Sequence, residues 1–570
     1  MPVTYLVNRN VIGNPILASN VAAGTSSNVM SIVADSVGNI YTGGAFNGTS
    51  CFLPNATATG PSTVISNNLS ASAAGVGAYF AKYNSTGTMQ YYWNLVQVTA
   101  AGQYVSSLAL DSTGTYLYVG LAYESNGSLA INTPSASGGS STGFTLTTTT
   151  ANATWGLALL KITAATGAIV WGTCFDSGVI ADNDYPTGLA VDSSGNVYLS
   201  FTYNTATSGS YSVYNAGATA PSATVGVTLY NNTNAALNGA LVKFNSAGVA
   251  QWGASIVTSA TTVLTSVIQT PSNIGIDPSG NIVIGVTVGA NKTVTVYPGT
   301  TNATGTTVSI PVIGATNNYQ LIIKYSANGP ILWTAQVGQP SGTSSTNTIT
   351  GISCGQYNSV YITGNINTAS TGSVPATNIY NGNGAGQAPN TSASSITLPA
   401  TSGPYGYVAK FNSTTGAVQW VSYASTLTSS SITSQYLFAY PNSSDTDLYI
   451  VGNYLNASGT TSIINYNGTT SSVALAQTSA SNPSAFMQRM FLGNVIAAEV
   501  LQGTNASSTL MNTSFMDSSA NNLYVSGQYL SSSGAAPLYV AGGTGSTTAS
   551  GVSLPITITT GTAGFWAKYS

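Results

Sequence analysis

Hydrophobic and polar residues alternate along this chain in short runs, and the runs are joined by turns rich in Asp, Asn, Ser and Gly. Alternation with a period of two predicts β-strands, and two such runs around a tight turn predict a β-hairpin. One recurrent phrase has the form hydrophobic-Ala-hydrophobic-Asp-Ser-x-Gly-Asn-hydrophobic-Tyr-hydrophobic-x-Gly. Its copies lie at 33–44, 108–120, 189–200, 274–285 and 515–527, with weaker forms at 352–364 and 440–452. The turn aspartates are Asp35, Asp111, Asp192, Asp277 and Asp517.

A second phrase, Ala-Lys-Tyr/Phe-Asn-Ser-x-Gly-x-x-x-Trp, follows each copy of the first. It lies at 80–93, 159–171, 241–252, 322–333 and 408–420, is degraded at 487–500, and begins again at 565–570. Its basic residues are seven of the nine in the chain: Lys82, Lys161, Lys243, Lys324, Lys410, Arg489 and Lys568. This phrase also predicts a hairpin. Two hairpins give four strands per repeat, which is the content of one propeller blade.

Together the two phrases resemble the SBBP-type β-propeller repeat, whose hallmarks are D-x-x-G-N-x-Y-V-x-G followed by A-F-V-A-K-h-N-x-x-G. The resemblance covers nearly the whole chain in seven copies, and it implies an architecture rather than an activity. We therefore expect an all-β fold in which residues 1–570 form one seven-bladed β-propeller. The expected blades span 31–105, 106–186, 187–270, 271–348, 349–432, 433–510 and 511–570. The fifth and sixth units depart from the pattern because their turn Asp is lost or shifted.

Each repeat carries an insert between its two hairpins, often with an aromatic phrase followed by a hydrophobic-Pro phrase, as at 295–299 and 308–311. We interpret each insert as an extra hairpin or long loop, and the inserts together as a ring of projections. The last repeat lacks an outer strand, and residues 14–21 are expected to supply it beside 564–570. Residues 1–30 thus contain the closing strand. A further strand near the start either extends this seam or pairs with a neighbouring subunit.

The composition narrows the classes of function. Charged residues make up 4% of the chain, there is no His, and the net charge is −3. Nucleic-acid binding needs clustered Lys and Arg, which this chain lacks. No run of about 18 apolar residues predicts a membrane span, and no classical signal peptide is visible at the start. A nearly uncharged, hydroxyl-rich surface without a titrating His suits an extracellular setting or a permanent assembly.

The repeated basic residue has two interpretations. It either forms a cationic ring along the axial channel, or it pairs with the turn Asp or with backbone carbonyls of the same or the next blade. We favour pairing, because buried charges must be paired. The repeated Trp residues are expected to pack between blades rather than to bind sugars; they are Trp93, Trp171, Trp252, Trp333 and Trp420.

Other chemistry is sparse. Cys51, Cys174 and Cys354 form no metal-binding or redox motif, and buried packing in strands is expected for Cys174 and Cys354. Asp182 and Asp184, in an acidic connection, are a weak Ca²⁺ candidate that competes with a solvated loop. No pair of facing carboxylates predicts a glycosidase, and no cofactor is expected.

The candidate partner contacts lie in the inserts. Five tyrosines are proposed to bind a partner or a glycan, the alternative being packing within the insert: Tyr214, Tyr297, Tyr380, Tyr466 and Tyr539. Candidate glycosylation sites in N-x-S/T sequons are Asn47, Asn55, Asn126, Asn231, Asn302, Asn390, Asn467 and Asn505.

We thus expect a non-enzymatic structural subunit of an extracellular assembly, such as a virion surface component, a fibre or a surface layer. It would associate with itself through the inserts or a spare N-terminal strand. One alternative is a propeller that recognises glycans or a surface partner, and another is a polysaccharide hydrolase or lyase.

Overall fold

A computed structural model describes the strands of the chain and the turns that join them. The described residues are 15–23, 26–48, 50–53, 64–66, 76–96, 102–125, 128–132, 142–147, 154–175, 184–203, 209–218, 220–231, 238–258, 274–289, 293–298, 308–310, 318–339, 345–355, 357–368, 376–384, 394–398, 405–425, 432–439, 447–454, 460–464, 470–476, 484–491, 494–502, 509–516, 522–530, 537–541, 549–553 and 562–569. They form β-strands and no helix, so none of them belongs to a helix that could span a membrane.

The strands follow one another in chain order. The first third gives β1 (Pro15–Ala23), β2 (Ser26–Ala34), β3 (Ile40–Asn47), β4 (Ser50–Phe52), β5 (Val64–Ser66), β6 (Val76–Tyr83), β7 (Met89–Val96), β8 (Gln103–Leu110), β9 (Tyr116–Ser125), β10 (Ser128–Asn132), β11 (Thr142–Thr147), β12 (Thr154–Thr163) and β13 (Ile169–Phe175). The middle gives β14 (Tyr185–Val191), β15 (Val197–Tyr203), β16 (Gly209–Tyr214), β17 (Val225–Asn231), β18 (Asn238–Phe244), β19 (Ala250–Thr258), β20 (Ile274–Ile276), β21 (Ile282–Val288), β22 (Val294–Pro298), β23 (Val308–Ile310), β24 (Tyr319–Tyr325) and β25 (Ile331–Gly338). The last third gives β26 (Ser345–Cys354), β27 (Ser359–Thr368), β28 (Thr377–Gly384), β29 (Ser394–Leu398), β30 (Tyr405–Asn412), β31 (Val418–Ser425), β32 (Ile432–Ala439), β33 (Asp447–Tyr454), β34 (Thr460–Ile464), β35 (Thr470–Ala476), β36 (Ser484–Phe491), β37 (Asn494–Gln502), β38 (Thr509–Met516), β39 (Leu523–Leu530), β40 (Pro537–Ala541), β41 (Ala549–Ser553) and β42 (Thr562–Tyr569).

The arrangement is that of a β-propeller. Four blades stand out as separate six-stranded sheets with one common order: β14-β15-β18-β19-β22-β23, β20-β21-β24-β25-β28-β29, β26-β27-β30-β31-β34-β35 and β32-β33-β36-β37-β40-β41. A four-stranded sheet, β13-β12-β9-β8, a larger sheet that contains both ends of the chain, and the separate two-stranded sheet β16-β17 complete the described part. In each six-stranded sheet the first four strands are the two hairpins that the sequence phrases predict.

The inserts correct one expectation. Strands β22 and β23 lie in the chain between β21 and β24, yet β22 pairs with β19 of the preceding sheet, and β23 pairs with β22. The pairs β28–β29, β34–β35 and β40–β41 do the same on β25, β31 and β37. These inserts are therefore not projections. Each continues a neighbouring sheet as its fifth and sixth strands, because the free edge of that sheet satisfies their backbone hydrogen bonds.

The two ends of the chain meet as the sequence predicts. Strand β1 pairs antiparallel with β42, from Pro15 opposite Tyr569 to Val21 opposite Gly564. On its other side β42 pairs with β39, so β1 takes the outer position in the last sheet. The N-terminal strand thus supplies the outer strand that the last repeat lacks.

The core lies between neighbouring sheets. Tyr198, Leu241 and Trp252 of one sheet pack in a single cluster with Ile284 and Ile323 of the next. Successive side chains of a strand point to opposite faces, so each sheet contributes an apolar layer to the neighbour on either side. The turn glycines have left-handed backbones, as at Gly195 with φ 76°, which fits the glycine of the repeated turn.

Candidate functional site

Each turn of the first phrase is organised by its carboxylate. The Asp192 Oδ1 atom accepts hydrogen bonds from the backbone N–H groups of Ser194 and Asn196, both at 2.9 Å, and its Oδ2 accepts the Asn196 amide at 2.8 Å. Asp35 and Asp277 hold their turns by the same pattern. Asp111 accepts from the backbone N–H groups of the residues four and five positions later. The aspartates thus act first as local turn-stabilising acceptors.

The lysine of the second phrase crosses to the next blade. Its ammonium donates to a backbone carbonyl in the second turn of that blade, and we call this contact the latch. The four described latches join Lys82 to Ala164 (3.0 Å), Lys161 to Ser246 (2.8 Å), Lys243 to Ala327 (3.0 Å) and Lys324 to Ser413 (2.7 Å). Each acceptor lies one residue after the start of its turn, so the repeat places donor and acceptor alike.

The repeated Trp completes the latch. The indole N–H of Trp171, Trp252 or Trp333 donates to the same carbonyl as the lysine of its blade, at 2.8–3.1 Å. Trp93, grouped with this series by sequence, does not occupy the equivalent position. Tyr91 lies opposite Lys82 in the strand register, and its hydroxyl donates to the Ala164 carbonyl at 2.9 Å.

An aromatic ring supports most of the basic groups. The Lys243 Nζ atom lies 5.4 Å from the centre of the Tyr198 ring, and the Tyr198 hydroxyl donates to Asp192 at 3.1 Å. Equivalent rings lie 5.3–5.6 Å from the cationic groups of the other blades in the pairs Lys82–Tyr41, Lys161–Tyr118, Lys410–Tyr361, Arg489–Tyr449 and Lys568–Tyr524. Cation–π attraction therefore recurs around the molecule.

The fourth copy of the motif differs. Val283 replaces the tyrosine, and Lys324 forms a direct ion pair with Asp277 at 2.6 Å between Nζ and Oδ2. The Ser413 hydroxyl donates to the same Oδ2 atom at 3.2 Å. Both charged side chains are buried, with exposures of 3% and 7%. Because Val283 has no hydroxyl to donate to Asp277, the Oδ2 atom of Asp277 is available to the Lys324 ammonium.

The latch shifts the acid–base properties of its groups. Burial lowers the pKa of Lys82, Lys161 and Lys243, and the carboxylate of the same blade partly offsets this effect. Burial also raises the pKa of the Asp277 carboxyl, but hydrogen bonds from Lys324 and Asn281 outweigh it, so the pKa lies below its ordinary value.

A cavity of about 400 Å³ lies where the first strands of the repeats converge. Its wall combines aliphatic side chains such as Leu108 and Ile276 with hydroxyls such as Ser31 and Ser514, and Asp35 and Asp111 lie at one end. No Lys or Arg is among the described residues that line it. The described lysines therefore do not form the cationic axial ring that was one of the two interpretations.

A surface pocket of about 410 Å³ lies above the ion pair. It is lined by Asp277, Ser279, Tyr357, Asn358 and Ser413, with one further neighbour, Pro278, in the same turn as Asp277. The Tyr357 side chain is 54% exposed. This is an aromatic ring next to hydroxyl, amide and carboxylate groups. Sequence analysis missed it, because the fifth repeat deviates from the turn pattern at this place.

The insert tyrosines have different surroundings. Tyr380 is 3% exposed, so the prediction of a partner contact is wrong for it; its strand β28 is an internal member of its sheet. Tyr297 is half-buried and stacks on Tyr230 with ring centres 4.3 Å apart, and Tyr214 is half-buried in β16. The side chains of Tyr466 and Tyr539 lie outside the described residues.

The remaining candidates are dispersed. Asp184 is buried and accepts the Tyr211 hydroxyl at 2.9 Å, while Asp182 and Asp517 lie outside the described residues. Within the described ranges no three His, Cys, Asp or Glu side chains converge on a metal site. Cys51 and Cys174 are buried, whereas Cys354, also expected to be buried, is half-buried at the end of β26.

Most of the sequon candidates are not described. Asn47 is half-buried at the end of β3, and Asn231 ends β17. The others lie outside the described residues: Asn55, Asn126, Asn302, Asn390, Asn467 and Asn505.

Comparison with protein-family models gives no match, and comparison with curated proteins gives none either. The resemblance to the SBBP-type repeat therefore stays a prediction from the two sequence phrases.

Proposed function

We propose that this chain is a non-enzymatic structural subunit of an extracellular assembly, built as one seven-bladed propeller. Seven repeats of two hairpins fit the larger sheets. The four six-stranded sheets and the four-stranded sheet give five blades, and the sheet that holds both chain ends divides into a first and a last blade. In this division β2-β3-β6-β7 form the first blade, and β38-β39-β42-β1 form the last. The SBBP-type resemblance and the β1–β42 pairing support this count.

The observation that carries the proposal is the use of charge. The lysines of the described latches are directed into blade-to-blade contacts, where Lys82, Lys161 and Lys324 are 3–8% exposed. With nine basic residues in the whole chain, little positive charge is left for the outer surface. A surface of hydroxyls, amides and small apolar groups, with a net charge close to zero, favours association between copies.

Sedimentation velocity and negative-stain electron microscopy over a range of concentrations test this proposal. We expect filaments, layers or defined oligomers of the full chain. Their formation should depend little on salt, because salt weakens contacts between exposed charges and this chain has few charged residues. A single 57.6 kDa species at every concentration would contradict self-association. The same measurements on a chain without residues 1–12 identify the contact: association is lost if that segment makes it and is kept if the propeller makes it.

A second function is favoured by the pocket beside Tyr357. An exposed aromatic ring flanked by Asp277, Asn358 and hydroxyl groups has the chemistry of a sugar-binding surface, where the ring stacks on the sugar and polar groups bind its hydroxyls. Glycan-array binding that is lost in Tyr357→Ala, with Tyr297→Ala as the control, would support recognition. Binding unchanged by Tyr357→Ala would exclude this pocket.

A further inference from the structure

The cavity between the inner strands, which we call the axial cavity, has no part in the function proposed above. Its volume of about 400 Å³ lies in the range of about 300–1,000 Å³ that is usual for small-molecule sites. It is lined by residues of the first strands of the repeats, β2, β8, β14, β20, β26 and β38, and of the turns that follow β2 and β8. The axial cavity therefore has the size and the enclosure of a site for a small ligand.

Aliphatic side chains form a belt along the wall of the axial cavity. They occupy the position three residues before the turn Asp, or before Gly355, which takes the place of the Asp in the fifth repeat. The described members are Ile32, Leu108, Leu189, Ile274 and Ile352. Each is at most 8% exposed, and Leu110 and Ile276 extend the belt toward the turns. The wall between the belt and the turns thus favours an aliphatic ligand, because burial of apolar surface is favourable.

One position of the belt is polar. Ser514 stands three residues before Asp517, where the described repeats named above have Leu or Ile. Ser514 lines the axial cavity and is 3% exposed, and its hydroxyl has no hydrogen-bond partner among the described residues. Buried hydroxyls are normally hydrogen-bonded. The unpaired hydroxyl at this level of the wall therefore points to a polar group of a ligand.

Negative charge lies at the end of the axial cavity where the turns are. Asp35 and Asp111 line this end, whereas Lys82 and Lys161 of the same blades donate to latch carbonyls. Among the described contacts the Oδ2 atom of Asp111 accepts only the Thr113 hydroxyl, at 2.8 Å, so it keeps a lone pair for another donor. No described Lys or Arg lines the axial cavity. A cationic group is therefore favoured at this end.

We infer that the axial cavity binds a small organic cation, with an ammonium group at the turn end, an aliphatic chain, and a neutral hydroxyl at the level of Ser514. Three residues of strand separate the level of Ser514 from that of the carboxylates, a span of about 10 Å. Aminohexanol, whose polar groups are at the two ends of a six-carbon chain, is a suitable probe. This binding goes beyond the proposed assembly and does not depend on it.

The repeat supplies matched variants for a test in the full chain. Asp111→Asn removes one charge of the axial cavity. Asp192→Asn is the control, because it changes the equivalent turn of the next blade and Asp192 is not among the described residues that line the axial cavity. Asn is compatible with such a turn, since the Asn245 Oδ1 atom accepts the N–H groups of Ala247 and Val249 in the same way. Ser514→Ala removes the unpaired hydroxyl.

Isothermal titration calorimetry with aminohexanol, hexylammonium and hexanediol measures the binding. We expect Asp111→Asn to weaken the binding of aminohexanol at least about tenfold, because a hydrogen bond between charged groups is lost. Asp192→Asn should leave the affinity unchanged. Ser514→Ala should weaken the binding of aminohexanol and leave that of hexylammonium unchanged, because only aminohexanol has a hydroxyl to pair with Ser514.

Three results would overturn the inference: a wild type that does not bind aminohexanol, binding of hexanediol as tight as that of aminohexanol, and equal losses in Asp111→Asn and Asp192→Asn. Circular dichroism shows whether the variants are folded. If Asp111→Asn does not fold, the comparison of the three probes on the wild type decides the matter. Sedimentation of the same wild-type samples tests the proposed assembly separately, so failure of one proposal is distinguished from failure of the other.

Discussion

The third and fourth copies of the latch balance the charge of the buried lysine in two different ways. In the third, Tyr198 lies between the acid and the base: its hydroxyl donates to Asp192, and its ring lies beneath the Lys243 ammonium. In the fourth, Val283 takes that place, and Lys324 binds Asp277 directly. The ammonium reaches the next blade in both. The fixed element is thus the lysine-to-carbonyl contact, and the way its charge is balanced varies.

The largest difference is expected when the lysine is removed. In Lys324→Met the Asp277 carboxylate stays buried without its cation, which costs about 3–5 kcal/mol of unfolding free energy. In Lys243→Met the lost partners are a carbonyl and an aromatic ring, and about 1–3 kcal/mol is expected. Urea unfolding of both variants measures the two losses.

One outcome would break this comparison. Equal losses for Lys324→Met and Lys243→Met would mean that the direct ion pair adds nothing beyond the latch. The double variant Lys324→Met, Asp277→Asn serves as the control, because removal of both charges restores part of the stability if the buried carboxylate is the cause.

A substitution of Tyr198, the residue between Asp192 and Lys243, sharpens the comparison. Tyr198→Val removes a fully buried side chain and is expected to cost about 2–3 kcal/mol through the cavity that it leaves. It also frees Asp192 to bind Lys243 directly, as in the fourth copy. A crystal structure of the variant with an Nζ–Oδ2 distance below 4 Å would support this. An unchanged lysine position would show that the ion pair depends on more than the valine.

The pH dependence is expected to separate the two latches. The pKa of Asp277 is lowered from 3.8, so the unfolded chain binds more protons and stability falls as the pH drops through about 4 and below. Burial and then Asp192 raise the pKa of Tyr198 above 10.0, so the stability it contributes is present below pH 10 and is lost above it.

Unfolding free energies measured from pH 3 to 11 check both signs. Asp277→Asn should flatten the acid limb and leave the alkaline limb unchanged. Tyr198→Phe should leave the acid limb unchanged and make the alkaline limb only slightly shallower, because burial raises the pKa of other tyrosines such as Tyr41 and Tyr118 in the same direction. Between pH 5 and 9 the curve should be nearly flat, because the chain has no His. An acid limb that is the same in Asp277→Asn would place its origin in other carboxyls.

The smallest effect concerns the turns. Gly280 in the fourth repeat has φ 77°, while Asn358 has φ 62° in the corresponding turn of the fifth. Gly280→Ala is expected to cost about 1–2 kcal/mol, because a Cβ atom disfavours this conformation. Asn358→Gly should change stability by less than about 1 kcal/mol, since the relief of strain offsets loss of the bond between the Asn358 side chain and Thr414. Thermal unfolding of both variants gives the comparison.

Sequence reasoning reached the local elements of this fold. The Asp-Ser-x-Gly-Asn phrase specifies a turn through its own side chain and glycine, so Asp192, Gly195 and Asn196 were predictable from neighbours in the chain. The β1–β42 pairing was predictable as well, because the last repeat lacks a strand. Pairing of the repeated lysine was the favoured interpretation, but the sequence left open whether the partner is the turn Asp or a backbone carbonyl, and whether it lies in the same blade or the next.

The features that sequence reasoning missed depend on distant contacts. The local sequence of the β22–β23 hairpin does not specify that it pairs with β19 of the preceding repeat, because any exposed strand edge can satisfy its backbone hydrogen bonds. Trp93 was aligned with the latch tryptophans since it is the indole nearest to the motif. The register places Tyr91 there instead, two residues earlier on the same face of the strand. The pocket at Tyr357 requires turns of two repeats to meet.

The pairing of each insert hairpin with the sheet of the preceding repeat also affects how the molecule unfolds locally. The outer strand β19 of one sheet exchanges its amide protons only when the hairpin β22–β23, which belongs in sequence to the following repeat, has come away. Local opening of one repeat therefore exposes the edge of the repeat before it. Amides of adjacent sheets should then share one opening free energy in native-state hydrogen exchange. This propeller would behave as a single cooperative unit rather than as a row of blades that unfold independently.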